Sequence, residues 1–406
     1  MVAWSGRRKT FTILLFIFPT LLSILAFNVY PILLNTYVSI TNRNKFHPYP
    51  DCSVGLSGVL DPICWPVFRD NAPTGLGSPY TIEEPFYANY ATLIGDLFTG
   101  QALLALLSVA ALVAPFAAVS VIDRRFQRPG ATRPVSTTVM WIGALALASL
   151  FALLFDVRGA WDTLMASGDF IVVVMRTVLF VLIRVPLSFV VGLVLALILN
   201  SDHLPGRTFF RVVLFIPWAA SSLAILMALV WQFFFREQGT INQVLEAFGL
   251  TGKSWLADPV TAFAAIVIVD VWFSYPFFMI AILGALQSIA ADAYEAAEVD
   301  GATYWQQLWN ITLPLIRPAI LPATVLTSIT AFQMFGTGWA MTAGGPVKGA
   351  GQPGATEFVM IYAFKQIFQT QNYGLATAFA VILFVFLFIV TLYSLRLTRI
   401  TKGAYE

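Results

Sequence analysis

Two ionisable side chains, Arg184 and Asp270, stand well inside apolar runs of this sequence, away from their ends. A charge at membrane depth is costly, and such a group normally faces a cavity or a partner. Asp270 could accept hydrogen bonds there, with Arg184 either as its partner or snorkelling outward. Hydrolytic and metal chemistry have less to work with. His47 and His203 are far apart, and Glu83 and Glu84 are adjacent rather than opposed across a cleft. No Ser/His/Asp or Cys/His arrangement stands out. A phosphate-binding loop around Gly252-Lys253-Ser254 would need a glycine five residues before Gly252, where Ala247 stands. The expectation is a chain with no catalytic residues, no metal site and no cofactor of its own.

The elements that must carry these residues follow from composition. Of 406 residues, 58% are hydrophobic and 11% charged, against about 45–50% and about 25% in soluble domains. Mean hydropathy is +0.79. A net charge of +2 leaves no footprint for nucleic acid. A helix crossing a bilayer needs roughly 20 apolar residues. Eight stretches qualify, near 11–34, 99–121, 137–155, 174–199, 209–235, 261–286, 316–340 and 373–395. The seventh is interrupted by Pro318 and Pro322. The first follows Arg7, Arg8 and Lys9 and lacks a small-residue cleavage site, so it reads as a retained span.

Basic residues set the orientation. With eight spans, Arg7, Arg8 and Lys9 share one side with Arg124, Arg125, Arg128, Arg133, Arg207, Arg211, Arg317, Arg396, Arg399 and Lys402. Both termini are then expected in the cytoplasm, with outer loops near 41–98, 156–173, 236–260 and 341–372. The first outer loop holds Cys52 and Cys64, either a disulfide closing a short loop or two free thiols.

Between the sixth and seventh spans lies Ala291-Asp-Ala-Tyr-Glu-Ala-Ala-Glu-Val-Asp-Gly-Ala-Thr-Tyr-Trp-Gln-Gln-Leu-Trp-Asn-Ile-Thr-Leu-Pro314, in a loop the charge rule makes cytoplasmic. Asp292 followed by Glu295 predicts a helix start by side-chain capping. Ala293, Ala296 and Ala297 favour helix, and Gly301 interrupts it. Trp305, Leu308 and Trp309 offer an apolar stripe, and Pro314 marks return to the membrane.

The pattern Glu295-Ala296-Ala297, Gly301, Ile311, Leu313 and Pro314 resembles the EAA loop of permease subunits of binding-protein-dependent ATP-binding-cassette importers. Supporting stretches run from about Thr177 onward: Gly192-Leu-Val-Leu-Ala-Leu197, Arg207-Thr-Phe-Phe-Arg211, Pro217-Trp-Ala219, Gly239-Thr-Ile-Asn242, Trp255-Leu-Ala-Asp-Pro259, Trp272-Phe-Ser-Tyr-Pro276, Gly344-Gly-Pro346 and Tyr373-Gly-Leu-Ala376. Together they are similar to the sugar branch, of the maltose/maltodextrin or trehalose type, whose larger subunit has eight spans. The resemblance implies an all-α polytopic helical bundle of the type I importer fold. It divides into N-terminal helices over 1–170 and a transmembrane core over 171–400 that includes the coupling loop 291–314.

The same resemblance implies that the loop seats in a separate ATPase subunit, which binds ATP and magnesium, with Glu295 and Gly301 as coupling positions. It further implies a second permease subunit, two ATPase copies, an extracytoplasmic sugar-binding protein and a bacterial inner-membrane location. A sugar needs aromatic platforms and hydrogen-bonding groups. Trp218 and Ser222, then Asp270, Ser274 and Phe277, then Gln333 match the family's sugar-lining positions. Each could instead serve helix packing or an interhelical hydrogen bond.

Two departures stand out. The large insertion that the best-known maltose-type relative carries between its third and fourth spans is absent here, the extended outer loop following the first span instead. Asp270 places an acid where the family has a neutral amide. The alternatives are an ion-coupled secondary transporter, a membrane-embedded enzyme with clustered acids, and an importer permease for a non-sugar solute such as glycerol phosphate.

Overall fold

The computed structural model describes residues 7–53, 55–68, 77–95, 137–154, 169–201, 204–347 and 353–402, with a few positions between 107 and 122. The expected span near 99–121, most of the 156–173 loop and the cluster Arg124 to Arg133 lie outside the described residues. Among the described residues the regular structure is helical, and extended pairing is limited to the isolated bridges Thr41–Ile82, Asn44–His47 and Pro50–Tyr80.

The helices are α1 (Arg7–Ile24), α2 (Tyr30–Val38), α3 (Gly55–Leu60), α4 (Ala88–Gly95), α5 (Thr137–Leu154), α6 (Asp169–Asn200), α7 (Arg207–Ala219), α8 (Ala224–Phe234), α9 (Thr240–Ala247), α10 (Pro259–Leu286), α11 (Ala291–Val299), α12 (Tyr304–Gln307), α13 (Leu313–Phe332), α14 (Gly336–Thr342), α15 (Val359–Phe368) and α16 (Tyr373–Lys402). Among the described residues six segments are long and apolar enough to cross a membrane: Leu15–Val38, Val172–Asn200, Arg207–Phe234, Pro259–Leu286, Tyr304–Thr342 and Tyr373–Leu392. The shorter apolar helix α5 covers the expected third span. The protein is an all-α polytopic membrane protein.

Proline placement explains the irregular turns. A proline ring clashes with the carbonyl four residues back and donates no hydrogen bond. Four residues before Pro31 lies Phe27, inside the π-helical turn Leu25–Val29; four before Pro314 lies Asn310, inside the π-helical turn Leu308–Thr312. Both turns widen the helix where the ring needs room. The expected fifth span breaks just after Pro217 into a 3₁₀ turn, Ala220–Leu223. The expected seventh span keeps Pro318 and Pro322 within α13 and breaks later, between Phe332 and Gly336. A β-carbon on Gly336 would lie 3.2 Å from Ile225 Cγ1, so the glycine lets α14 start close against α8.

Contacts group the chain into two units, residues 1–95 with 363–387, and 96–362 with 388–406. In the first unit, Cys52 and Cys64 form a disulfide with sulfurs 2.13 Å apart. Asp61 is buried, and its carbonyl accepts the Cys64 N–H at 3.0 Å. Tyr80 donates its hydroxyl to Asp61 Oδ2 at 2.6 Å, and Arg43 Nη1 lies 3.4 Å from the same oxygen. Burial first, and then the Asp61 carboxylate, push the Tyr80 phenol well above its ordinary pKa. The Arg43 guanidinium also covers the Tyr80 and Tyr373 rings, at 5.1 and 5.7 Å. Gly374 donates its N–H to Arg43 O at 2.9 Å, and a β-carbon there would clash with Thr41 O.

The second unit is built on α6 and α10. Asp258 caps α10 by accepting from the amides of Val260 and Thr261, each at 3.0 Å, with Pro259 in the first turn. The two helices meet along a ridge at four-residue spacing on α6. Phe180 lies edge-on to Phe263 with centroids 6.2 Å apart, Arg184 meets Asp270, Ser188 meets Ser274, and Gly192 meets Phe278. Both numbers rise together, so α6 and α10 run parallel. The spacing is the i±4 ridge of helix packing.

A β-carbon on Gly192 would stand 2.7 Å from Phe278 Cβ and 2.9 Å from Met279 N. Backbone cannot swing aside as a side-chain end can. Gly192→Val is therefore expected to cost about 1–3 kcal/mol, read as a lower unfolding midpoint of the purified chain in detergent. An unchanged midpoint would contradict this crossing. Non-reducing mass spectrometry should find no free thiol, and both Cys52 and Cys64 should alkylate after reduction.

Candidate substrate pathway and coupling site

α6, α7, α10, α13 and α14 surround a cavity of about 370 Å³. Its charged element is the buried pair Arg184 and Asp270, with Nε and Oδ2 2.6 Å apart. The N–H is not aimed along this line, so the contact is one of charge more than of hydrogen bonding. Arg184 Nη1 also donates to Thr327 O on α13 at 3.1 Å. Thr337 on α14 stands beside the Asp270 carboxylate. One turn further along the crossing, the Ser188 and Ser274 hydroxyls are 2.6 Å apart, and Ser274 donates to Asp270 O at 2.7 Å. Pairing is what makes two charges tolerable at this depth.

Of the six expected pathway residues, the structure brings four together: Trp218, Asp270, Ser274 and Phe277 line the cavity. Ser222 and Gln333 are exposed and do not line it. The reason is local geometry in both cases. Residues i and i+4 share a face of an α-helix, but in a 3₁₀ turn the matching spacing is i and i+3. The turn Ala220–Leu223 therefore puts Ser221, three residues after Trp218, into the lining. Gln333 would extend the face of Thr327 and Thr330 only if α13 continued. The helix ends at Phe332, and Thr337 from α14 takes that place.

Sequence reasoning missed Ser221, Thr327, Thr330 and Thr337. The four-residue spacing of Phe180, Arg184, Ser188 and Gly192 was a signal that could have paired Arg184 with Asp270.

The candidate coupling segment, 291–314, begins with two short helices joined at Gly301. α11 begins after Ala290, which makes no side-chain cap, in place of the expected cap by Asp292. Asp292 instead sits in the first turn, where a negative charge suits the helix dipole. The end of α11 is closed by backbone alone. Gly301 N donates to Glu298 O at 3.0 Å and Ala302 N to Ala297 O at 2.8 Å, the paired bonds of a glycine-terminated helix. Gly301 takes φ +73, a left-handed conformation that costs other residues about 1–2 kcal/mol.

Thr303 and Gln306 then form a capping box that starts α12. Tyr294 and Thr312 hydroxyls, 3.0 Å apart, tie α11 to the π-helical turn. Glu295, Ala296 and Gly301 are exposed and Ala297 is half-buried. Ile311 lies in the π-helical turn, while Leu313, packed on the core, and exposed Pro314 open α13. The expected stripe divides: Leu308 is buried, whereas Trp305 and Trp309 are exposed.

A fold of spanning helices with a polar-centred cavity between them and an exposed, glycine-capped loop helix defines a membrane transport component. The family described as binding-protein-dependent transport system inner membrane component matches residues 188–399, and the chain belongs to it. It is similar to the trehalose/maltose transport system permease protein MalF of Thermococcus litoralis, with 36% identity over 227 residues, 56% of this chain and 74% of that one. It is also similar to the maltose/maltodextrin transport system permease protein MalF of Escherichia coli, with 34% identity over 236 residues, 57% of this chain and 46% of that one. The match thus spans less than half of the latter's length. A solved bacterial alginate transporter, in complex with an alginate pentasaccharide-bound periplasmic protein, aligns at a TM-score of 0.47 and 24% identity, over 65% of this chain and 92% of that one.

Removing one member of a buried ion pair strands the other, at about 3–5 kcal/mol. Asp270→Ala should therefore lower the unfolding midpoint sharply in detergent, and Arg184→Met with Asp270→Leu should recover most of it. Equal midpoints for wild type and Asp270→Ala would contradict the pairing.

Proposed function

We propose that this chain is the permease subunit of an ATP-binding-cassette importer for a neutral di- or oligosaccharide of the maltose/maltodextrin or trehalose class. The observation that carries the reading is the exposed segment Glu295–Gly301, closed by a left-handed glycine, within the region 188–399 that the family matches. A surface of small residues ending in a rigid turn suits insertion into a partner's cleft. The partner is an ATPase that supplies nucleotide and magnesium chemistry, two copies serving this subunit and a second, related permease. An extracytoplasmic binding protein delivers the sugar. Both termini and the coupling segment face the cytoplasm of a bacterial cell.

The cavity chemistry agrees with a sugar. Trp218 and Phe277 supply apolar faces for C–H surfaces. The Arg184–Asp270 pair offers a donor and an acceptor side by side, and Ser221, Ser274, Thr330 and Thr337 add hydroxyls. Asp270 keeps its role as a hydrogen-bond acceptor for the sugar, now shared with Arg184. The stabilised double variant separates the two roles of the pair. If Asp270 and Arg184 contact sugar, that variant folds but transports poorly; wild-type uptake would leave the pair purely structural.

The coupling role is tested in the four-subunit complex reconstituted in vesicles with its binding protein. Glu295→Lys, or a bulky residue at Gly301, should abolish most sugar-dependent transport while the binding protein's affinity for sugar stays unchanged. Wild-type transport in both variants would sink the reading.

A further inference from the structure

The stretch from Gly55 to Phe68 is expected in an aqueous loop, yet its contacts run down the side of the first span. Tyr30, in α2, donates its hydroxyl to Leu60 O at 2.8 Å, and its ring centre lies 5.7 Å from that of Trp65. Trp65 in turn donates Nε1 to Val59 O at 3.0 Å. The span covers 24 residues, Leu15–Val38. An apolar core about 30 Å thick takes about 20 of them. Counted over the whole apolar run from Phe11 to Val38, every such window includes positions 19–30, so Tyr30 lies at or inside the outer boundary of that core.

The segment is chemically suited to that depth. Between Cys52 and Phe68 the only charged residue is Asp61, which is buried against Tyr80 and Arg43. Lipid leaves no water to satisfy backbone groups. The amides of Asp61, Ile63, Cys64, Trp65 and Phe68 are bonded within the segment. Its outward side chains are apolar: Leu56 and Phe68 are exposed, with Val59 69% and Val67 79% exposed. They continue the exposed apolar surface of Ile32 and Leu33 on the span itself.

We infer that Gly55–Phe68, closed by the Cys52–Cys64 disulfide, is a wedge seated in the lipid leaflet beside the first span. Its partner is the bilayer at the boundary of headgroups and acyl chains. The disulfide and the buried Asp61 cluster hold the wedge against Tyr30 without any exposed charge.

The test is spin labelling of the full chain in phosphatidylcholine nanodiscs. Single cysteines at Val59 and Val67 are labelled with the native disulfide intact, and mass spectrometry checks that one label is added. Leu33→Cys serves as the lipid-facing reference and Glu246→Cys as the aqueous one. Both wedge labels should collide with oxygen several-fold more than with a water-soluble nickel chelate, as at Leu33. Nickel accessibility at both sites equal to that at Glu246 would overturn the inference and leave an apolar patch facing water. Protection from both reagents would overturn it too, pointing to a protein contact. Two sites at opposite ends of the segment keep the test decisive if one variant folds poorly.

Discussion

The second unit depends on how two charges are held inside a membrane. Arg184 and Asp270 are both buried, and each would be costly alone at that depth. Together they fix the register between α6 and α10, since a slip of one residue would separate them. The register then places Ser188 on Ser274 and Gly192 under Phe278. Arg184 reaches a third helix through Thr327, so α13 is tied to the same point. The cavity lies beside this pair, lined by the ion pair, hydroxyls and the apolar side chains Trp218, Phe273, Phe277 and Leu326.

A second constraint is the steric demand of proline in spanning helices. Pro31 and Pro314 each follow a π-helical turn, and Pro217 precedes a 3₁₀ turn. These irregular turns rotate the residues that follow, which is why Ser221 replaces Ser222 in the cavity wall. At the coupling end, the widened turn before Pro314 also holds Thr312, which meets Tyr294 and fastens α11 to the membrane helix that follows. The Tyr294–Thr312 contact thus joins α11 to the start of α13, the helix that also carries Thr327 at the ion pair.

The first unit solves a similar problem by different means. Asp61 is buried with a tyrosine, an arginine and a disulfide around it, and the surface it leaves outward is apolar. Gly374 admits the close backbone approach that brings the last helix to the same cluster.

The sequence by itself determined the helical membrane class, most span positions, and the loop helix after Ala290 with its closing glycine, because apolar length, charge spacing and a left-handed turn are local properties. That Trp218, Asp270, Ser274 and Phe277 face one cavity was also legible, since their spacings of three and four place them on helical faces and the family resemblance points to the same positions. Only the tertiary structure decided that Arg184 pairs with Asp270 rather than reaching outward, as the two are far apart in sequence and either answer satisfies a lone charge. It likewise decided that Ser222 and Gln333 turn away and that Thr327 and Thr337 take part. Those outcomes rest on where helices break and cross, and packing between distant segments sets both.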